Sequence, residues 1–159
     1  MKNMILPAKS CSIILCALLL FAAGCKKDEP VNPQQALYGD VARPTWTVQE
    51  DYDYSSSMTA VIKVETLNGQ VVNARLVSES DVLAAFVGEE CRGIATYDGG
   101  LFYLYIAGPH DATENDQVIR LRYWSSHYTN LFEEGAITFV NNAHIGSVAE
   151  PYVPTFVTR

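Results

Sequence analysis

Residues 81–107 read DVLAAFVGEECRGIATYDGGLFYLYIA, and this stretch decides the fold class. Asp81 to Val87 is apolar on both faces of an extended chain, which suits a strand lying between two layers. Gly88-Glu89-Glu90 turns the chain. Cys91 to Tyr97 then resumes, with Cys91, Gly93 and Ala95 on one face and Arg92, Ile94 and Thr96 on the other. Asp98-Gly99-Gly100 is a second turn, and Leu101 to Ala107 is a second strand apolar on both faces.

The same grammar continues on both sides. Upstream, Ser57 to Glu65 alternates, with Met58, Ala60, Ile62 and Val64 sharing one face and Thr59, Val61, Lys63 and Glu65 the other. Asn68-Gly69 is a tight-turn dipeptide, and Gln70 to Val77 reads as a weaker strand. Downstream, Gly108 to Asp116 is a polar loop. Gln117 to Trp124 alternates again: Ile119, Leu121 and Tyr123 face in, while Arg120 and Arg122 face out. Ala136 to Val140 is a short strand and Tyr152 to Val157 a final extended piece. No helical period is sustained over this region. About seven or eight short strands with turn residues every 8–12 positions predict an all-β fold, an antiparallel β-sandwich of immunoglobulin-like or jelly-roll-like kind, over residues 46–159.

Composition agrees. Of 159 residues 48% are apolar, enough to bury a core, and the length suits one ordinary domain. The net charge of −7 excludes a nucleic-acid partner, because no basic excess exists to displace counterions from phosphates.

The N-terminus reads as an address. Lys2 and Lys9 precede an uncharged apolar run from Cys11 to Ala23, too short to span a bilayer, which takes about 20 residues, but of the length of a secretory h-region. The run Phe21-Ala22-Ala23-Gly24-Cys25 resembles the lipobox of bacterial lipoproteins. That resemblance implies cleavage of residues 1–24 and lipidation of Cys25, hence a membrane partner through the lipid anchor. Lys26-Lys27-Asp28-Glu29 resembles the surface-export signal of Bacteroidetes lipoproteins, which implies the outer membrane and exposure on the cell surface. Residues 25–45, with Pro30, Pro33 and Pro44, read as a flexible tether with a reach on the order of 25 Å.

A second resemblance covers the domain. Trp46, Asp51-Tyr52-Asp53-Tyr54, Ser57-Met58-Thr59, the central run Asp81-x-x-Ala84-Ala85-Phe86-Val87-Gly88-Glu89-Glu90-Cys91-Arg92-Gly93-x-Ala95, Phe102-Tyr103-Leu104, Gly146-Ser147 and Pro151 follow one another in an order that resembles a β-sandwich module of Bacteroidetes surface and secreted proteins. The resemblance implies a non-catalytic extracellular module, found beside others in adhesive or glycan-handling proteins. The motif residues also make sense as structure: Gly88 and Gly93 permit a turn and close packing, Phe86 and Cys91 are core-sized, and Asp81 caps the loop before its strand.

Cys91 is the one cysteine left in the domain, so no internal disulfide forms, and its strand position reads as buried rather than nucleophilic. His110, His127 and His144 lack zinc-ligand spacing, so no metal is expected there. Asp111, Glu114 and Asp116 supply oxygen donors for calcium in one loop, against the plainer reading of a solvated acidic loop. The paired acids Glu89-Glu90 and Glu133-Glu134 point to opposite faces of an extended chain, which does not suit glycoside hydrolysis. An enzyme is therefore not expected, and no cofactor is implied. The lead is aromatic: Trp124, Tyr128, Tyr103 and Tyr105 would offer a sugar or a protein partner rigid surface with polar handles. The expected function is a non-catalytic module binding a glycan or a surface protein. The alternative is a structural or accessory subunit of an adhesive or pilus-like assembly, joined through an edge strand.

Overall fold

Alternation organises the strands. In β1 (Ser56–Ile62) every second residue is buried, so Met58, Ala60 and Ile62 face inward. In β7 (Leu101–Gly108) Phe102, Leu104 and Ile106 do the same. The computed structural model describes residues 32–48, 54–109 and 117–159; all lie in one compact unit, Val31–Arg159. The remaining strands are β2 (Thr66–Leu67), β3 (Gln70–Val71), β4 (Val82–Val87), β5 (Glu90–Ile94), β6 (Thr96–Asp98), β8 (Val118–Ser125), β9 (Asn130–Thr138), β10 (His144–Ile145) and β11 (Val157–Thr158).

The strands form two main sheets, ordered β10-β1-β7-β6 and β11-β9-β8-β4-β5, with β2 and β3 as a separate hairpin. Neighbours pair antiparallel except β1 with β10. The fold is thus an all-β, sandwich-like arrangement of open sheets. The inward rows of both sheets merge into one core with Leu37 and Phe156. Tyr123 is fully buried at its centre, with Phe102, Phe132 and Phe156 ring centroids 5.9, 6.3 and 5.4 Å away.

The central motif shapes the corner where the chain changes sheets. β5 pairs with β4, but β6, two residues on, pairs with β7. Ala95 sits at the crossing and donates its N–H to Leu83 O at 2.8 Å. Gly93 lies where β5 passes over β7: a Cβ there would stand 1.9 Å from Tyr105 O. Only glycine permits that approach. Phe86 pairs with Cys91 and Ala85 with Gly93, so Arg92 is the extra residue of a β-bulge. The bulge overturns strict alternation here: Cys91 packs outward with Ala84 and Phe86, while Gly93 points in.

Other expectations also shift. β4 is buried on both faces as its apolar run predicts. β7 is not, since Tyr103 and Tyr105 are exposed. β9 starts six residues before the expected strand at Ala136, because pairing with β8 overrides the polar run Asn130 to Gly135. Gln70 to Val77 is a two-residue strand followed by a 3-10 turn, Ala74–Leu76, capped by Asn73.

The tether expected over residues 25–45 is, from Asn32 onward, part of the domain. Leu37 is buried in the core, and Gly39 and Val41 donate N–H groups to Tyr128 O and Thr129 O at 2.9 and 2.8 Å. Asn130 Nδ2 donates to Leu37 O at 3.0 Å. The described part of this segment holds a 3-10 turn, Gln35–Leu37, and its prolines do not keep it from packing. Cys25 and the segment 1–24 lie outside the described residues.

Candidate ligand-binding face

The two sheets treat their outer faces differently. On the five-stranded sheet, β4 and β8 turn Ala84, Phe86, Arg122 and Trp124 outward, and the segment up to Val48 covers them. Trp46 packs edge-on against Phe86 with ring centroids 5.1 Å apart. Trp124 donates its indole N–H to Val41 O at 2.8 Å and is only 7% exposed. Beside them runs a charged lattice. Arg122 donates to both Glu89 carboxylate oxygens at 2.7 and 2.9 Å and to Glu133 Oε2 at 3.0 Å, with its guanidinium 4.2 Å from the centre of the Phe86 ring. Arg120 reaches Glu133 Oε1, and Arg159 reaches Glu89. The Arg122 hydrogen bond holds the Glu89 carboxyl below its ordinary pKa. For Glu133, burial pushes upward but the Arg122 and Arg120 hydrogen bonds prevail, and its pKa is also lowered.

On the four-stranded sheet the outward row of β7 is closed at Ala107 and open at the two tyrosines. Tyr105 is 59% exposed and Tyr103 36%. They stand on one face of β7, about 7 Å apart for a two-residue step. Tyr105 lies opposite Thr59, which lies opposite His144 on β10. Thr59 Oγ1 and His144 Nδ1 share a 2.6 Å hydrogen bond. Tyr103 lies between Val61 on β1 and Thr96 on β6. The face thus carries two phenol rings, two threonine hydroxyls, an imidazole and one valine. Hydrogen-bond donors and acceptors flank aromatic surface, an arrangement suited to binding.

The four aromatic residues singled out from sequence therefore separate. Tyr103 and Tyr105 share the open face. Trp124 and Tyr128 do not join them: both are 7% exposed, and Tyr38 packs edge-on against Tyr128 at 5.1 Å. The expectation that Trp124 and Tyr128 form an exposed platform is corrected, because backbone from residues 38–41 covers them. His144 and Thr59 were missed as partners of the tyrosines. The outward position of Thr59 is legible in the alternation of β1; the placement of His144 comes from a parallel pairing across 85 residues and leaves no local signal.

Elsewhere the polar side chains serve the fold. Asp81 is buried and accepts from Tyr123 Oη at 2.6 Å, Ser126 N at 2.8 Å, Ser126 Oγ at 2.6 Å and Ser78 N at 3.1 Å. This is the loop cap expected of it, extended to a second loop. Burial, then the adjacent Asp81 carboxylate, drives the Tyr123 phenol far above its ordinary pKa. Cys91 is buried, with its Sγ 3.7 Å from Gly93 O, and burial raises the thiol pKa. Among the described residues no group of three or more His, Cys, Asp or Glu could hold a metal. The acidic loop residues Asp111, Glu114 and Asp116, weighed above as a weak calcium candidate against a solvated loop, lie outside the described residues. Against family models, curated proteins and solved structures, the chain gives no significant match.

Proposed function

We propose that the chain is a lipid-anchored cell-surface protein whose sandwich binds a glycan, without catalysis, on the outer face of the four-stranded sheet. The observation that carries the glycan reading is the exposed pair Tyr103 and Tyr105 beside the Thr59–His144 hydrogen bond. A sugar ring presents C–H bonds on one side and hydroxyls at its rim. Phenol faces meet the first, and hydroxyl and imidazole groups meet the second. Two rings on one strand suit a chain of sugars lying along β7.

The edges of the sheets favour this reading over strand-mediated assembly. β6 has three residues, and β10 and β11 have two each. β5, the remaining edge, has five residues and is interrupted by the bulge at Arg92. Short and bulged edges are poor templates for a foreign strand. The lipid anchor rests on Lys2, the Cys11–Ala23 run and Cys25, and is tested by metabolic labelling with an alkyne fatty acid: wild type takes up label and Cys25→Ser does not. A glycan array probed with the full chain tests the binding. Wild type should give signal on a defined glycan group, and Tyr105→Ala should lose it while keeping the wild-type melting curve. Retained signal in a folded Tyr105→Ala protein would remove this face from consideration.

A further inference from the structure

Beyond the open face, where β1 and β7 run out toward Lys63 and Gly100, the surface drops into a cleft of about 500 Å³. Its apolar lining includes Val64, Val77, Leu101, Val148 and Pro151, and among the described residues Lys63 is the only charged one in it. Val64 and Val77 are 4% and 7% exposed and form buried wall, whereas Val148, at 66%, stands at the rim. The walls are tied in place. Tyr97 Oη donates to Val77 O at 3.0 Å, Lys63 N donates to Tyr152 O at 2.9 Å, and Ser147 N donates to Glu150 O at 2.9 Å across the rim turn. A smaller groove of about 310 Å³ adjoins it and shares Lys63, Val64 and Ala74. Lys63 therefore lines both hollows.

We infer that this cleft binds a small carboxylic acid with an aliphatic body, the aliphatic part against the valine-lined wall and the carboxylate on Lys63 Nζ. The dimensions and the lining, mostly apolar with one cationic residue, are those of a small-molecule site. Lys63 is engaged by Glu65 at 2.7 Å, but both side chains are more than two-fifths exposed. Such a pair is worth little, so exchanging Glu65 for a ligand carboxylate costs little. The ligand class differs from that of the tyrosine face. A sugar would leave its hydroxyls unpaired against valine, whereas an aliphatic chain would not.

Isothermal titration calorimetry of the full chain with hexanoate and with hexanamide, its neutral analogue, tests the site. Hexanoate should bind wild type at least tenfold more tightly than hexanamide. Lys63→Gln should erase that difference, and Ala149→Trp, which fills the cleft, should abolish binding of both. Val148→Asp, a change at an exposed rim position, covers the case in which Ala149→Trp does not fold and should weaken hexanoate more than hexanamide. Tyr105→Ala should leave hexanoate binding unchanged, which separates this site from the glycan face. Equal affinity for the two probes, no binding of either, or an unaltered preference in a folded Lys63→Gln protein would overturn the inference.

Discussion

The two outer faces of the sandwich begin with similar material and end differently. Each carries outward aromatics on a central strand: Trp124 on β8 and Phe86 on β4 for one sheet, Tyr103 and Tyr105 on β7 for the other. On the five-stranded sheet the incoming chain lays Val41 and Trp46 over them, and Arg122 bridges Glu89 and Glu133 alongside. On the four-stranded sheet the rings meet solvent. The difference teaches that outward position on a strand does not by itself mark a recognition residue. What marks it is the absence of a covering segment, and that depends on where residues far away in sequence come to lie.

The contrast can be broken most forcefully on the covered side. Trp124→Ala should destabilise the fold by about 3 kcal/mol, the usual cost of deleting a buried large aromatic. Urea unfolding would read it, and a loss below about 1 kcal/mol would mean that the covering segment contributes little. At the corner, Gly93→Ala places a methyl on Tyr105 O and should cost about 2–3 kcal/mol by overpacking. Because Tyr105 itself is displaced, the same variant should also weaken ligand binding.

The ion lattice of the covered face gives a smaller, pH-dependent effect. Glu89 and Glu133 have lowered pKa values in the folded chain. Their contribution is complete above the unfolded carboxylate pKa, about 4.3, and is lost as pH falls through the lower folded values. The melting temperature of wild type should therefore drop on acidification below about pH 4.5 more steeply than that of Glu133→Gln. Parallel curves would mean that the lattice is not linked to folding. The smallest stability effect belongs to the open face. Tyr105→Ala should change stability by less than about 0.5 kcal/mol, as exposed substitutions do.

Much of this architecture is readable along the chain, because a strand writes its own orientation. The alternation of Met58, Ala60 and Ile62 and of Ile119, Leu121 and Tyr123 carries directly into burial. The apolar run Val82 to Val87 announces a strand covered on both faces. Two kinds of feature escape local pattern. One is the bulge at Arg92, where a single extra residue reverses the faces of Cys91 and Gly93. The other is coverage: Leu101 to Ala107 and Asp81 to Val87 both read as strands apolar on two faces, yet Tyr103 and Tyr105 are exposed while Trp46 and Val48 pack over Ala84 and Phe86. For the same reason Trp124 reads as a platform in sequence and proves to be a buried anchor, its indole N–H engaged by Val41 O. The tyrosine face was half legible: the rings and Thr59 follow from period two, while His144 arrives through a long-range pairing.

The central claim is that the open face, and not the covered one, recognises the ligand. Its most direct test is glycan binding by two proteins matched for fold, the double variant Tyr103→Ala/Tyr105→Ala and Trp124→Phe, which keeps an aromatic ring but loses the bond to Val41. The double variant should lose array signal at wild-type stability, while Trp124→Phe should keep full signal with a stability loss of about 1 kcal/mol. Signal that survives in the tyrosine double variant and disappears in Trp124→Phe would contradict it.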